Sequence, residues 1–104
     1  MILIYTTCGS IEEVEKIADV LLSEKLAVCC KFWPVSTRYL WKGKKENGDE
    51  IFFLLETSEE KSKETQALIQ KLHSYKSPVI VSFPVSTNTQ TAQWMKKELA
   101  VAVV

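Results

Sequence analysis

The chain has 104 residues, with 13 basic and 13 acidic side chains and a formal net charge of zero. A chain this short is predicted to form a single domain over residues 1–104, with one modest core. The zero net charge argues against nucleic acid or an anionic membrane as a partner. No segment approaches the ~20 apolar residues of a membrane span. The three cysteines are an odd number and two are adjacent, which argues against a disulfide framework and favours the cytoplasm.

The first quarter of the chain predicts a strand and a helix. The apolar start, Ile2–Cys8, follows no basic residue and runs into Gly9, so it is predicted to be a strand and not a signal peptide. Ser10 and Glu13 have the spacing of a capping box, in which the glutamate reaches back to the Ser10 amide. A helix ending near Lys25 should follow. Its apolar residues recur at spacings of three and four and are Ile11, Val14, Ile17, Ala18, Leu21 and Leu22.

Two long strand-like arms over residues 28–57 carry more apolar surface than one short domain can cover. If Trp33, Tyr39 and Trp41 stayed in water, they would expose roughly 450 to 750 Å², which meets or exceeds the largest apolar patch usual on a monomer. We therefore predict an oligomer built through this hairpin. Its interface residues are predicted to be Trp33, Tyr39, Trp41, Phe52 and Leu54. Gly43 and the Asn47-Gly48 pair can each supply the positive φ of a turn, and the sequence leaves open which one forms the tip.

The rest of the chain predicts a helix over residues 58–74, a strand over 79–83 and a last helix from about Asn88. The inner faces of these two helices are predicted to be Thr65, Leu68, Ile69 and Leu72, and Ala92, Met95, Leu99 and Ala102. The order β-α-β-β-α-β plus a C-terminal helix is typical of an α+β, ferredoxin-like fold with helices over one face of an antiparallel sheet. The other face then needs cover, and the simplest cover is the matching sheet of a neighbouring copy.

Five groups of residues stand in a characteristic order: YTT at 5–7, KLAVC at 25–29, YLWKGK at 39–44, LHSY at 72–75, and Pro78 with a late Trp94. Together they resemble the CutA divalent-cation-tolerance family over nearly the whole chain. The resemblance implies a homotrimer similar to the PII signalling proteins, whose long hairpins pair between subunits. It also implies a cytoplasmic role in tolerance of copper and other divalent metals, but no particular reaction.

The chain departs from the family pattern near the implied site. The family commonly has acidic residues after the positions of Tyr75 and Pro78, where this chain has Lys76 and Val79. A carboxylate-rich site for a hard cation is therefore not expected here, because hard divalent ions prefer oxygen ligands. Other departures, which are compatible with the fold, are at Gly9, Lys45 and Thr91.

The candidate metal ligands are Cys29 and His73, whose thiolate and imidazole suit copper(I) or zinc. Packing for Cys29 and capping of the helix end for His73 are the alternatives. Cys30 points to the opposite strand face from Cys29, and Cys8 is expected to be a passive packing residue. The resemblance implies that Tyr39, Trp41 and Tyr75 lie in the same ligand cleft.

These residues give little support to catalysis. The three glycines form no phosphate-binding loop, and the single histidine leaves a Cys-His pair as the only nucleophilic candidate, so we predict a protein that is not an enzyme. The leading interpretation is a trimeric adaptor whose intersubunit cleft takes a metal ion or small metabolite and reports it to a protein partner. A copper(I)- or zinc-sequestering protein using Cys29 and His73 is the alternative, followed by a small hydrolase or lyase.

Overall fold

A computed structural model describes residues 1–100. The seven predicted elements are present in the predicted order, and their bounds are β1 (Ile2–Cys8), α1 (Ile11–Ser23), β2 (Cys29–Trp41), β3 (Lys44–Thr57), α2 (Ser62–Leu72), β4 (Val81–Pro84) and α3 (Thr89–Leu99). Within residues 1–100, no helix is both long and apolar enough to cross a bilayer.

The strands form one antiparallel sheet in the order β2-β3-β1-β4, which is the ferredoxin-like order. The predicted α+β fold class is therefore confirmed. Alternate residues of the two central strands are buried on the face that packs against the helices, as the period of two requires. The core lies between this face and the helices, and its largest fully buried side chains are Phe53, Ile4, Ile17, Leu21, Leu55 and Ile69.

The start of α1 follows the capping prediction in part. Ser10 caps the helix by accepting from the Glu13 amide at 3.2 Å. The carboxylate of Glu13 accepts from the Gly9 amide at 3.2 Å, not from the Ser10 amide, so the reciprocal bond was predicted one residue too late. The helix ends at Ser23, and Lys25 follows with a φ of 56°, the left-handed conformation that commonly ends a helix.

The hairpin turns at Lys42 and Gly43, where φ is 51° and 77°. Two central residues with positive φ define the type I′ turn that fits the twist of a hairpin, so Gly43 is the tip. Gly48 instead lies within β3, where a Cβ would come within 3.2 Å of Thr37 Oγ1 across the ladder. Its lack of a side chain therefore allows a close cross-strand approach and not a turn.

The later elements are shorter than predicted. Ser58 starts a turn in which its carbonyl and hydroxyl both accept from the Lys61 amide, so α2 begins only at Ser62. β4 includes Pro84 as its last residue, which the sheet tolerates because β4 is an edge strand. The predicted inner face of α2 is buried or partly buried. On α3, Met95 and Leu99 are buried, but Ala92 is exposed and was wrongly placed inside, while Ala102 lies outside the described residues.

The second face of the sheet is apolar and only partly buried. We call it the open face, and its apolar residues are Leu3, Tyr5, Trp33, Phe52, Leu54, Val81 and Phe83. The ring centroids of Tyr5 and Phe52, and those of Trp33 and Phe52, lie 4.9 Å apart. Trp33 still exposes 44% of its surface, so these aromatic contacts do not cover the face.

β2 and β3 continue beyond the end of β1, because the β1 ladder stops at Cys8 opposite Ile51. Residues 35–50 therefore form a two-stranded extension, which we call the ribbon. At its tip Tyr39 exposes 50% of its surface, Trp41 58% and Leu40 74%. A two-stranded hairpin alone in water is marginally stable, so the ribbon needs a surface to pack against.

Two buried threonines give a test of the core. Thr57 Oγ1 is fully buried without a hydrogen-bond partner among the described residues, whereas Thr65 Oγ1 lies 2.8 Å from both the Leu26 and the Lys61 carbonyl. We expect Thr57→Val to leave the free energy of unfolding unchanged or raise it by up to about 1 kcal/mol, because it removes an unsatisfied hydroxyl. Thr65→Val should lower it by about 1 to 2 kcal/mol. Urea unfolding followed by circular dichroism checks both, and a clear loss of stability in Thr57→Val would contradict the prediction.

Candidate functional site

Three parts of the chain meet at the carboxyl end of β1: the β1–α1 connection, the base of the ribbon and the segment that follows α2. His73 ends α2 and is 8% exposed. Its Nδ1 accepts from the Tyr75 amide at 3.1 Å, so that nitrogen carries no proton. Nε2 therefore carries the proton and donates to the Thr7 carbonyl at 2.9 Å. The ring is thus a neutral imidazole with both nitrogens engaged.

This geometry decides between the two roles considered for His73. The ring binds the backbone of β1 and not the last carbonyls of its own helix, so the side chain does not cap α2. Metal ligation through either nitrogen would require breaking a hydrogen bond to buried or partly buried backbone. Within one chain, His73 is therefore a structural tie between β1 and the segment after α2.

A cysteine does lie beside His73, but it is Cys8 and not Cys29. The Cys8 Sγ is 3.6 Å from His73 Nε2 and is fully buried. Burial, together with the nearby Glu13 and Glu50 carboxylates, raises the pKa of the Cys8 thiol to about 12. The thiol therefore stays protonated at neutral pH and is a poor nucleophile. Chain order alone could not reveal this pair, because its members are 65 residues apart.

Within one chain, the structure does not bring Cys29 and His73 together. Cys29 lies opposite Glu56, which in turn pairs with Leu3, whereas His73 binds at Thr7. Leu3 and Thr7 are four residues apart along β1, which corresponds to about 13 Å. Among residues 1–100, no group of three or more His, Cys, Asp or Glu side chains is placed to hold a metal ion. The side chains described for one chain therefore form no site for a resident metal with three ligands of these types.

The surroundings of Cys29 are polar. The Lys31 ammonium donates to Cys29 Sγ at 3.1 Å and forms an ion pair with Glu56. The hydrogen bond to Glu56 is the main reason that the pKa of Lys31 lies above its ordinary value. By contrast, burial raises the pKa of the neighbouring Cys30 thiol to about 12. The adjacent cysteines thus occupy different environments, as alternation along a strand predicts.

A cavity of about 340 Å³, which we call the cleft, opens at the base of the ribbon. Its lining residues are Gly9, Pro34, Val35, Ser36, Asp49, Glu50 and Ile51. Tyr75 lies beside it, donates its hydroxyl to Glu50 Oε2 at 2.8 Å, and would be 3.6 Å from a Cβ on Gly9. Burial and the Glu50 carboxylate raise the pKa of Tyr75, so the phenol stays a neutral donor.

Only one of the three predicted cleft residues lies beside the cleft of its own chain. Tyr75 does, whereas Tyr39 and Trp41 lie near the ribbon tip, at least four strand residues or about 13 Å beyond Val35. Sequence reasoning missed Glu50 and the two other carboxylates of this region, those of Asp49 and Glu13. The available signal for Glu50 was its alternation with Phe52 and Leu54, which places it on the face predicted to need cover.

Comparison with known proteins identifies the family. The family model described as "CutA1 divalent ion tolerance protein" matches residues 2–98. The chain belongs to the CutA1 family. A relative from Archaeoglobus fulgidus named "Divalent-cation tolerance protein CutA" is 38% identical over 82 residues, which is 79% of this chain and 80% of the relative. The predicted resemblance is therefore confirmed.

Solved CutA structures share the fold. The structure titled "Periplasmic divalent cation tolerance protein CutA" from Archaeoglobus fulgidus aligns with a TM-score of 0.91 at 32% identity, covering 96% of this chain and 100% of that one. The "PII-like protein CutA" from Nostoc sp. PCC 7120, solved in apo form, aligns with a TM-score of 0.88 at 25% identity, covering 98% and 100%. The PII-like arrangement of one subunit is thereby confirmed.

The positions at which this CutA1 chain lacks the family's acidic residues are exposed. Lys76 lies in the segment between α2 and β4, and Val79 exposes 61% of its surface. Neither side chain belongs to the lining of the cleft. Their replacement therefore changes the surface near the cleft and leaves the buried contacts of His73 intact.

Glu13 gives a pH test of the way this region is held together. Burial pushes the pKa of Glu13 upward, but hydrogen bonds from Ser74 and Gly9 outweigh it and hold the pKa below the ordinary value of 4.5. A lowered folded-state pKa contributes stability that is complete above 4.5 and is lost as the pH falls through the folded-state pKa. We expect Glu13→Gln to be less stable than the wild type at pH 7, with the difference shrinking below pH 4.5.

Urea midpoints measured across pH check this, with Glu12→Gln as the control. Glu12 is exposed on the same helix turn and accepts no side-chain hydrogen bond from residues 1–100. A pH-independent difference between Glu13→Gln and the wild type would show that the carboxylate charge is not what stabilises this region.

The cysteines give a second test. A thiol of pKa about 12 is ionised in roughly one molecule in 10⁴ at pH 8, so Cys8 and Cys30 should resist iodoacetamide in the folded protein. Both should react readily in 8 M urea. Peptide mapping by mass spectrometry measures the labelling of each site. Rapid native labelling of Cys8 would contradict the assignment of a buried, protonated thiol.

Proposed function

We propose that this CutA1 chain is a homotrimeric binding protein for divalent-cation tolerance, with its ligand in the cleft between subunits. The observation that carries the proposal is the uncovered apolar surface: the open face continues onto the exposed Tyr39 and Trp41 of the ribbon. Three copies related by a threefold axis would cover the open faces and give each ribbon a packing surface. The interface residues are those predicted from the sequence, Trp33, Tyr39, Trp41, Phe52 and Leu54.

The cleft supports a binding role more than a catalytic one. It lies at the base of the ribbon, where a neighbouring copy that packs on the open face would form its outer wall. In that arrangement the Tyr39 and Trp41 of a neighbour would lie beside Tyr75, so that all three residues predicted to share a cleft would line the same one. The ligand is then a metal ion or small metabolite held by more than one chain, because one chain alone offers no metal-binding group of three within residues 1–100.

Ligand binding would be reported to another protein through the ribbon or the cleft rim.

The alternative, sequestration of copper(I) or zinc by Cys29 and His73, is less well supported. These two residues lie apart within one chain, and both ring nitrogens of His73 already make hydrogen bonds. The three free thiols favour the cytoplasm, although the relative from Archaeoglobus fulgidus is described as periplasmic.

The test is the assembly state of a pair of ribbon variants. Trp41→Asp places a charge on the side of the ribbon that carries Tyr39, and Leu40→Asp places the same charge on the opposite side. We expect Trp41→Asp to lower the trimer fraction at micromolar concentration by at least about tenfold, because it buries an unpaired charge. Leu40→Asp should remain trimeric.

Native mass spectrometry of protein purified without added metal measures the subunit count and any retained ligand together. A wild-type chain that is monomeric and folded at micromolar concentration would overturn the proposal. So would a Trp41→Asp variant that is as trimeric as Leu40→Asp. Trimers that retain neither a metal ion nor a small molecule, and that bind none on addition, would leave the assembly standing and overturn the binding role.

A further inference from the structure

The ribbon tip carries a cation without a partner in its own chain. Lys44 is opposite Trp41 in the β2–β3 ladder, so it shares a side of the ribbon with Trp41 and with Tyr39. Among residues 1–100, the one ion pair joins Lys31 and Glu56, so Lys44 stands exposed and unpaired. The same side also carries Glu46, opposite Tyr39. The tip as a whole is cationic, because residues 38–46 contain four basic side chains and one acidic side chain.

The ribbon base carries a complementary anion. Glu50 lies on the same strand face as Phe52 and Leu54, at the margin of the open face. Its Oε2 accepts from the Tyr75 hydroxyl at 2.8 Å, while its Oε1 has no donor among residues 1–100. The cleft lining includes two carboxylates, those of Asp49 and Glu50, and no cationic side chain. The base thus offers a free acceptor in an acidic, partly apolar cavity.

We propose that Lys44 of one copy pairs with Glu50 of the next copy and so seats the aromatic tip over the cleft. Six residues of β3 separate the two groups, about 20 Å of strand, so they cannot meet within one chain. A contact between the tip of one copy and the base of the next is head-to-tail, and it closes into a ring when the rotation between copies closes. The inference rests on the proposed trimer and deepens it by naming the contact that sets its direction.

Charge complementarity favours a second copy over an anionic polymer as the occupant. The chain is neutral overall, so no long-range field concentrates nucleic acid or lipid at the tip. Lys44 at the tip and Glu50 at the base instead have opposite charges on the same side of one ribbon, and Glu46 lies between them. Partial burial against Trp41 and the cleft wall would strengthen the pair beyond an ordinary surface ion pair, because it reduces screening by water and salt.

Strand alternation provides the matched control for a test. Lys45 is the next residue, is also exposed, and lies on the opposite side of the ribbon, across from Leu40. The variants are Lys44→Glu, Lys44→Gln, Lys45→Glu, Glu50→Lys and the swap Lys44→Glu with Glu50→Lys. Sedimentation at several protein concentrations, in a fixed sub-denaturing urea concentration, measures the trimer dissociation midpoint. Urea is uncharged and leaves ion pairs unscreened.

We expect Lys44→Glu to raise the concentration at half-dissociation by about tenfold, since a ring contains three equivalent contacts of a few-fold each. Lys44→Gln should have a smaller effect in the same direction, and Lys45→Glu should stay within about twofold of the wild type. Glu50→Lys alone should weaken the trimer, and the swap should recover most of the loss. Added salt should weaken the wild-type trimer more than the Lys44→Gln trimer.

The outcomes separate this proposal from the proposed function. A wild-type trimer in which Lys44→Glu and Lys45→Glu behave alike would overturn the Lys44 contact and leave the trimer standing. A weakened Lys44→Glu trimer that the swap does not recover would overturn Glu50 as the partner. A monomeric wild type would overturn both. Circular dichroism of each variant confirms that the subunit is folded, and Lys44→Gln replaces Lys44→Glu if the latter is not.

Discussion

A β-sheet with apolar side chains on both faces must be covered on both faces, and the rest of this structure depends on that constraint. Along β3, Ile51, Phe53 and Leu55 pack beneath the helices, while the alternate residues Phe52 and Leu54 project from the other side. The helices cover only the first set. The same two strands continue as a ribbon and add further unsupported surface, because beyond Ile51 no third strand in the described part of the chain pairs with them. In the proposed trimer, folding of one chain and association of several would be parts of one hydrophobic requirement.

The cleft is a consequence of where β1 stops. β1 ends at Cys8, and within residues 1–100 no strand pairs with Glu50 and Asp49 on the β1 side of β3. The chain fills part of this gap with Tyr75, brought back from the end of α2 by the bonds of His73 to β1. What remains is a partly acidic cavity at the point where the sheet becomes a ribbon. A ligand site there would be sensitive to the position of a neighbouring ribbon, since the cavity is open on that side.

The sequence was sufficient for elements, order and fold class because these follow from short-range patterns. The strand Ile2–Cys8, the cap at Ser10 and the start of α3 near Asn88 depend on periodicity and on side chains that bond within three residues. The sequence did not decide which glycine forms the tip of the hairpin, because both Gly43 and Gly48 can adopt a positive φ. Only the register of the ladder shows that Gly48 lies opposite Thr37 within β3. The start of α2 was placed too early for a similar reason: Ser58 satisfies a turn as readily as a helix cap.

The site was less predictable because its contacts are long in sequence. Cys8 meets His73 across 65 residues, and Tyr75 meets Glu50 across 25. The sequence predicted that Cys8 is a packing residue, and its burial agrees, but no local pattern indicated that Cys8 is the cysteine beside His73. The resemblance to CutA proteins could name Tyr39, Trp41 and Tyr75 as one group, but it could not show that two of them lie at the far end of the ribbon. In the proposed trimer, the Tyr39 and Trp41 of a second chain would lie beside Tyr75, which would account for this separation.

The side chains of His73 and Glu13, which position the walls of the cleft, bind to backbone groups. His73 binds the Thr7 carbonyl and the Tyr75 amide, and Glu13 binds the amides of Gly9 and Ser74. Backbone partners do not depend on residue type, so residues around them can change without loss of these bonds. Lys76 and Val79 stand exposed between α2 and β4, and among residues 1–100 neither side chain takes part in these bonds. The identity of these two exposed residues can therefore change without loss of the bonds that position the cleft.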